Sequence, residues 1–154
     1  MEPVWQQVVD RLWFGFLLEG EWILRLVFAL VLGGVLGLER ERKDLPAGLR
    51  TFMLVSLGSC LFTILSLVAF PGSETARIAA QVVVGIGFIG AGTVLKTDGP
   101  NVHEVRGLTT AAGMWSTAAI GMAVGAGYYW LALSATVLVL TTLALLKRVE
   151  ERLL

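Results

Sequence analysis

The sequence predicts an all-α integral membrane protein with about five transmembrane helices, preceded by a short amphipathic helix. Hydrophobic residues make up 56% of the chain and charged residues only 16%, and the mean hydropathy is +0.77. These values differ strongly from those of an average soluble domain. The charges are clustered, and residues 107–146 carry none, which leaves room for two spans of about 20 residues each. The predicted spans are about 21–38, 47–70, 76–95, 107–125 and 129–146, followed by a cytoplasmic tail at 147–154.

Residues 1–20 form the predicted amphipathic interfacial helix. Apolar residues recur there at helical spacing, with Asp10 and Arg11 among them. Such a helix lies in the membrane interface with its apolar face toward the lipid. The alternative is a further span, which the cost of placing Asp10, Arg11 and Glu19 in a bilayer disfavours. The segment lacks a basic start and a small-residue cleavage site, so we expect it to be retained.

Lys and Arg are distributed unevenly between the two sides that five spans define. The side with more basic residues is cytoplasmic under the positive-inside rule. The rule therefore predicts an N-terminus outside and a C-terminus in the cytoplasm. Nine of the twelve basic residues lie on the predicted inner side, namely Arg40, Arg42, Lys43, Arg50, Lys96, Arg106, Lys147, Arg148 and Arg152, whereas Arg11, Arg25 and Arg77 lie outside.

The third predicted span, between Arg77 and Lys96, is the richest in glycine. On a helical wheel, one side holds Arg77, a glutamine and two glycines, and the opposite side holds further small residues. Small residues let neighbouring helices approach closely, so we expect packing on both sides. The first span offers a similar glycine pair. The predicted packing or pathway residues are Arg77, Gln81, Gly85, Gly87, Gly90, Gly92, Gly33 and Gly37.

This glycine-rich stretch admits two other interpretations. Gly85, Gly87 and Gly90 match the dinucleotide-binding fingerprint, which requires a strand before it and a helix after it. An apolar membrane span supplies neither, so we expect no dinucleotide. Alternatively, the glycines let the helix break and expose carbonyl groups to an ion, as in transporters. The choice between a continuous helix and a broken one stays open at this point.

A second group of polar residues is predicted at the cytoplasmic edge. One span ends at an acidic residue, and the second and fourth spans begin near arginine and threonine. Helix N-termini and arginine favour an anion. An internal salt bridge explains the same residues equally well. The group consists of Glu39, Arg50, Thr51, Arg106, Thr109 and Thr110.

The chain offers no recognisable catalytic arrangement, so we predict that it is not an enzyme. The single cysteine, Cys60, lies in an apolar run and is expected to be a buried hydrophobe. His103 has only loop acids near it, without convincing metal-ligand spacing. We therefore expect no cofactor, with Mg²⁺ retained only as a candidate ligand, and no nucleic-acid partner.

Four linked motifs resemble the MgtC/SapB family over about residues 22–146. They are Gly37-Leu-Glu-Arg-Glu41, Ala47-Gly-Leu-Arg-Thr51, Arg77-Ile-Ala-Ala-Gln81 running into Gly85 to Gly92, and Val105-Arg-Gly-Leu-Thr-Thr-Ala-Ala112. The resemblance implies a multi-pass protein of the bacterial inner membrane, linked to growth at low magnesium and, in pathogens, to virulence. Many members also have a C-terminal ACT-like domain, to which this chain shows no counterpart, so regulation through that domain is not expected here.

The resemblance also implies a mode of action. Some members are thought to restrain the F-type ATP synthase rather than to carry magnesium. We therefore expect helix–helix interaction in the lipid bilayer, either with another copy in a homo-oligomer or with ATP synthase membrane subunits. The alternative is a transporter or channel for Mg²⁺ or another small ion. The scarcity of acidic residues within the spans disfavours that alternative, because Mg²⁺ sites normally need carboxylates.

Overall fold

The computed structural model describes residues 4–69, 76–99 and 102–153. Helix dominates these residues, which confirms the predicted helical class, whereas the number and direction of membrane crossings stay predictions. The predicted turn at 71–75 and the tip of the predicted polar loop at 100–101 lie outside the described residues. The elements are α1 (Val4–Glu41), α2 (Leu49–Val68), α3 (Ala76–Ala91), β1 (Leu95–Gly99), β2 (Val102–Arg106), α4 (Leu108–Gly125) and α5 (Tyr129–Leu153).

Helix α1 is continuous through the predicted boundary near residue 20. Its sequence contains no proline after Val4, and Gly15 and Gly20 lie within the helix. A glycine lowers helix stability by about 1 kcal/mol, which a helix of 38 residues can absorb. The interfacial position of residues 4–20 stays a prediction, but the structure places no break between them and the first predicted span.

The segment between α3 and α4 differs from the prediction. Helix α3 ends at Ala91, earlier than the expected end at residue 95, and the expected polar loop contains a two-stranded antiparallel ribbon. Leu95 lies opposite Arg106, and Gly99 lies opposite Val102. The purely α-helical expectation is therefore corrected by a ribbon whose backbone groups pair with each other.

Gly107 explains the sharp change from this ribbon to α4. Its φ of +92° is a left-handed conformation that side chains rarely adopt, and a Cβ at this position would collide with the carbonyl of Thr93. Arg106, which was predicted to open the fourth span, therefore ends β2 instead.

Two helical segments within the described residues have both the length and the apolar composition needed to cross a membrane. They are Gly20–Glu41 and Leu49–Val68, with mean hydropathies of 1.9 and 2.1. Ala76–Ala91 and Tyr129–Ala144 are apolar but shorter. Length and composition alone thus single out the two N-terminal predicted spans.

Helix α2 lies between α1 and α4, and the three helices form what we call the three-helix unit. Phe52 of α2, Leu36 of α1 and Met114 of α4 are fully buried between them. Helix α5 packs on α4 and α1 along a stripe that includes Ala132 and Thr136. Helix α3 lies at the periphery against α2 and α4, and Ile86 and Gly90 are its only buried residues.

Candidate functional site

A buried charge cluster lies where α1 ends, and we call it the inner cluster. Arg40 is only 4% exposed, and its Nη2 donates a hydrogen bond of 3.0 Å to Thr110 Oγ1 in the first turns of α4. The Glu39 carboxylate pairs with Lys43 and lies 3.6 Å from Arg40 Nη1. Lys43 Nζ also donates to the Leu143 carbonyl of α5 at 3.4 Å. The cluster therefore joins α1 to both α4 and α5.

The inner cluster is incompletely satisfied. Within the described structure, Arg40 Nε and both Glu39 carboxylate oxygens are buried without a hydrogen bond. The nearby Lys43 and Arg40 offset the charge of Glu39. Burying a charged pair costs several kcal/mol per ion, which good pairing must offset. The cluster therefore lowers the stability of the fold unless its pairing is good, which makes it a candidate for a functional role.

The structure brings only part of the predicted cytoplasmic-edge group together. Glu39 and Thr110 meet through Arg40, and Thr110 is 1% exposed. The other four members do not join them in this buried position. Arg50, Arg106 and Thr109 are exposed, and Thr51 is half-buried.

Arg40 itself was missed as a site residue. The signal was present in the spacing, because Ala29, Gly33, Leu36 and Arg40 follow one another at helical intervals and are all buried. This stripe continues into the charged segment at the end of α1. Arg40, its last member, therefore lies on the same side of α1 as the buried residues before it. The charged neighbours of Arg40 concealed that it continues the core face.

A second cluster ties the middle of α1 to α4 and α5. Arg25 Nη1 donates a 2.7 Å hydrogen bond to the Gly125 carbonyl, one of the last carbonyls of α4, and Nη2 pairs with Glu21. The guanidinium carbon lies 5.9 Å from the centre of the Tyr129 ring. Arginine commonly satisfies helix C-terminal carbonyls in this way. The sequence did not predict this role for Arg25.

Several glycines of α1 and α4 are packed tightly against α2. A Cβ at Gly33 would lie 2.6 Å from the Phe52 carbonyl, and one at Gly125 would lie 2.6 Å from the Cys60 carbonyl. Gly37 is similarly close to Leu49, at 2.8 Å. In the same region Ser56 Oγ donates a 2.7 Å hydrogen bond to the Ala29 carbonyl. Of the predicted packing residues, Gly33 and Gly37 thus lie in a close helix contact.

The glycines of α3 have different surroundings. Gly90 packs on Ala111 of α4, and a Cβ built at Gly90 would lie 3.5 Å from the Cβ of Ala111. A Cβ at Gly85 or Gly87 would meet no described heavy atom within 4 Å. Gly92 directly follows α3, and the atom nearest to a Cβ there is the Ile89 carbonyl of α3. The remaining predicted residues on this helix, Arg77 and Gln81, are exposed.

Helix α3 is continuous through these glycines, from Ala76 to Ala91. The match to the dinucleotide fingerprint therefore lies inside a helix, where the strand–loop–helix context of a pyrophosphate site is lacking. The same continuity leaves no broken segment between Gly85 and Gly90. Within the described part of the chain, no group of three or more His, Cys, Asp or Glu residues is placed to hold a metal ion.

The apolar helices, the tight glycine packing and the charged clusters around Arg25 and Arg40 are those of a helical protein of the membrane type. The sequence pattern of the MgtC family matches residues 26–152. The chain therefore belongs to the MgtC family, as its motifs predicted. No solved structure resembles it significantly.

Three relatives illustrate the family. The putative magnesium transporter YhiD of Escherichia coli K12 is 41% identical over 145 residues, which cover 89% of this chain and 66% of YhiD. SrpB of Synechococcus elongatus is 42% identical, covering 88% of this chain and 82% of SrpB. MgtC of Salmonella typhimurium LT2 is 44% identical, covering 85% of this chain and 54% of MgtC. The chain thus matches slightly less than two thirds of YhiD and about half of MgtC.

Proposed function

We propose that this chain is a non-enzymatic, multi-pass protein of the bacterial inner membrane that acts by helix–helix contact in magnesium-linked homeostasis. Its family and its apolar helices support the membrane assignment. The name of its relative YhiD, a putative magnesium transporter, supports the link to magnesium. In this proposal the N-terminus lies outside and the C-terminus in the cytoplasm, as the distribution of Lys and Arg predicts.

The observation that carries the proposal is a face of small residues on α3, which we call the small face. Its small residues are Ala80, Gly87 and Ala91, with Val83 between them, and all four positions are exposed. Small residues lower the barrier to close helix approach in membranes, where lipid offers no hydrophobic driving force for association. The three-helix unit uses its small residues internally, whereas α3 keeps these available to a partner.

The partner is a membrane helix, and two sources are compatible with the small face. One is a second copy of this chain, which would make the protein a homo-oligomer. The other, implied by the resemblance to the MgtC/SapB family, is a membrane subunit of ATP synthase. Both would meet the small face within the lipid bilayer, so the same experiment addresses them.

Site-specific photo-crosslinking tests the proposal. A photoreactive residue at Gly87, in native membranes, should capture a protein partner that mass spectrometry then identifies as the same chain or another. Leu138 on α5 is 67% exposed and serves as the matched control position, which should capture lipid only. Equal capture of protein at both positions, or capture at neither, would count against the small face as a docking surface.

A second candidate function is transport of Mg²⁺ or another small ion. The buried carboxylate of Glu39, which pairs with Lys43, favours it, since acidic residues at membrane depth commonly mark ion pathways. Purified protein in liposomes loaded with a magnesium-sensitive dye discriminates the two functions. Rapid flux that Glu39→Ala or Gly85→Leu abolishes would replace the contact function by transport, and absence of flux leaves the contact function in place.

A further inference from the structure

A groove runs between α2 and α3 over most of the length of α3. It encloses about 460 Å³, and its walls are mainly apolar, with Leu54, Phe62 and Val82 among them. Gly58 of α2 and Gly85 of α3 face each other across it, and no described heavy atom lies within 4 Å of a Cβ built at either position. The groove is therefore space between two helices that the chain itself leaves open.

One end of this groove is polar. Gln81 lines it, and its exposed amide makes no hydrogen bond within the described residues. Arg77 lies one turn earlier on the same side of α3 and is exposed, and no described carboxylate pairs with it. A hydrogen-bond donor thus lies at this end of the groove, a cation lies one helical turn beyond that donor, and the groove continues between apolar walls.

We propose that this groove binds an acyl chain of a phospholipid whose phosphate pairs with Arg77. Gln81 donates a hydrogen bond to an ester or phosphate oxygen of the same lipid. The groove extends along α3 from Ile78 to Ile89, which is about 16 Å at the helical rise. One leaflet of the hydrocarbon core is about 15 Å thick. An acyl chain whose headgroup lies at the start of α3 therefore matches the groove in length.

Size and charge favour a lipid over other occupants. A helix about 16 Å long and 10 Å wide has a volume on the order of 1200 Å³, more than twice that of the groove. No Asp or Glu lines the groove, so nothing there attracts a cation, whereas Arg77 complements an anionic phosphate. The lipid site also lies on a different side of α3 from the small face, so it is independent of the proposed function.

Lipid titration of the purified full-length chain, followed by native mass spectrometry, tests the site. The probes are phosphatidylglycerol and a diacylglycerol with the same acyl chains, which lacks the phosphate. We expect phosphatidylglycerol to bind at least tenfold more tightly than diacylglycerol. Arg77→Gln should remove most of this difference, and Gly85→Leu should weaken phosphatidylglycerol binding at least tenfold by filling the groove.

Two matched variants serve as controls. Gly87→Leu adds the same side chain to an equally open position outside the groove, and Arg50→Gln removes an exposed arginine elsewhere. Both should change binding less than twofold. Gly58→Leu fills the groove from the opposite wall and replaces Gly85→Leu if that variant fails to fold.

Three results would overturn the lipid site. They are equal binding of the two probes, equal weakening by Gly85→Leu and Gly87→Leu, and no effect of Arg77→Gln. A disulfide-linked dimer formed by Gly85→Cys in a Cys60→Ala background would also overturn it, because a second copy of the chain would then occupy the groove. None of these results affects capture of a partner at Gly87.

Discussion

Glycines recur at helical spacing both in the three-helix unit and in α3, but their surroundings are opposite. At Gly33, Gly37, Gly121 and Gly125 a neighbouring backbone occupies the space that a side chain would need. At Gly85 and Gly87 that space is open within the described structure. The same residue type therefore fixes the fold in one region and leaves a surface available in the other.

The largest expected effect separates these two regions directly. A Cβ at Gly121 would collide with the Ser56 carbonyl, so Gly121→Leu forces α2 and α4 apart. Overpacking of this kind costs about 3 kcal/mol or more. We expect Gly121→Leu to accumulate poorly in membranes and to unfold at a lower temperature in detergent. Gly87→Leu is the matched control, and similar losses in both variants would abolish the distinction.

A smaller effect is expected when the charges at the inner cluster are unbalanced. Arg40→Met removes the hydrogen bond to Thr110 and leaves Lys43 as the remaining cation beside Glu39, which should cost about 2 kcal/mol of stability. Adding Glu39→Gln should recover part of this loss, because the carboxylate that lost one of its two neighbouring cations is then neutral. Thermal unfolding in detergent measures both variants. Arg42→Met, at an exposed arginine, should change stability by less than about 0.5 kcal/mol, and an equal loss there would contradict a special role for Arg40.

Loss of one interhelical hydrogen bond should have a modest effect. Ser56→Ala removes the bond to the Ala29 carbonyl and should lower stability by about 1 kcal/mol. Ser134 on α5 is exposed, so Ser134→Ala provides the comparison within the same protein. Unfolding curves measured side by side should show a lower midpoint for Ser56→Ala than for Ser134→Ala. Coincident curves would mean that the α1–α2 contact depends on glycine packing alone.

The smallest expected effect has the opposite sign. Gly87→Ala adds a methyl group into open space and improves helix propensity, so it should raise stability by about 0.5–1 kcal/mol. Gly33→Ala places its methyl 2.6 Å from the Phe52 carbonyl and should lower stability. Unfolding temperatures of the two variants give the sign of each change. If Gly87→Ala is also destabilising, α3 is more tightly enclosed than the structure shows.

Sequence reasoning identified the helical class, the family and the glycine pair at Gly33 and Gly37. It could not distinguish these glycines from Gly85 and Gly87. Glycine spacing shows that another helix can pack closely at these positions, but it does not show which helix does so. We expected packing on both sides of α3, whereas the structure buries only Ile86 and Gly90. Whether the helix that packs on a glycine face belongs to the same chain depends on the topology of the fold. The local sequence pattern carries no information about that topology.

The ribbon and the inner cluster were harder to predict for different reasons. Residues 95–106 contain Gly99 and Pro100, which are typical of a loop, and the strand pairing on either side of them depends on where α3 ends. Arg40 lies in a run of charged residues that normally marks solvent. Its burial depends on Thr110, which is 70 residues away in the sequence. Only the assembled helices bring the two together.

The long-range bonds of Arg25 and Lys43 also bear on how the protein is synthesised. Arg25 and Lys43 each reach a backbone carbonyl that lies 100 residues later in the chain. At roughly 5–20 residues per second, a ribosome needs about 5–20 seconds to produce those acceptors after the cations have emerged. Glu21 and Glu39 each precede their cation by four residues and are made before it. During this interval each glutamate is available to pair with its cation, whereas the carbonyl acceptor does not yet exist.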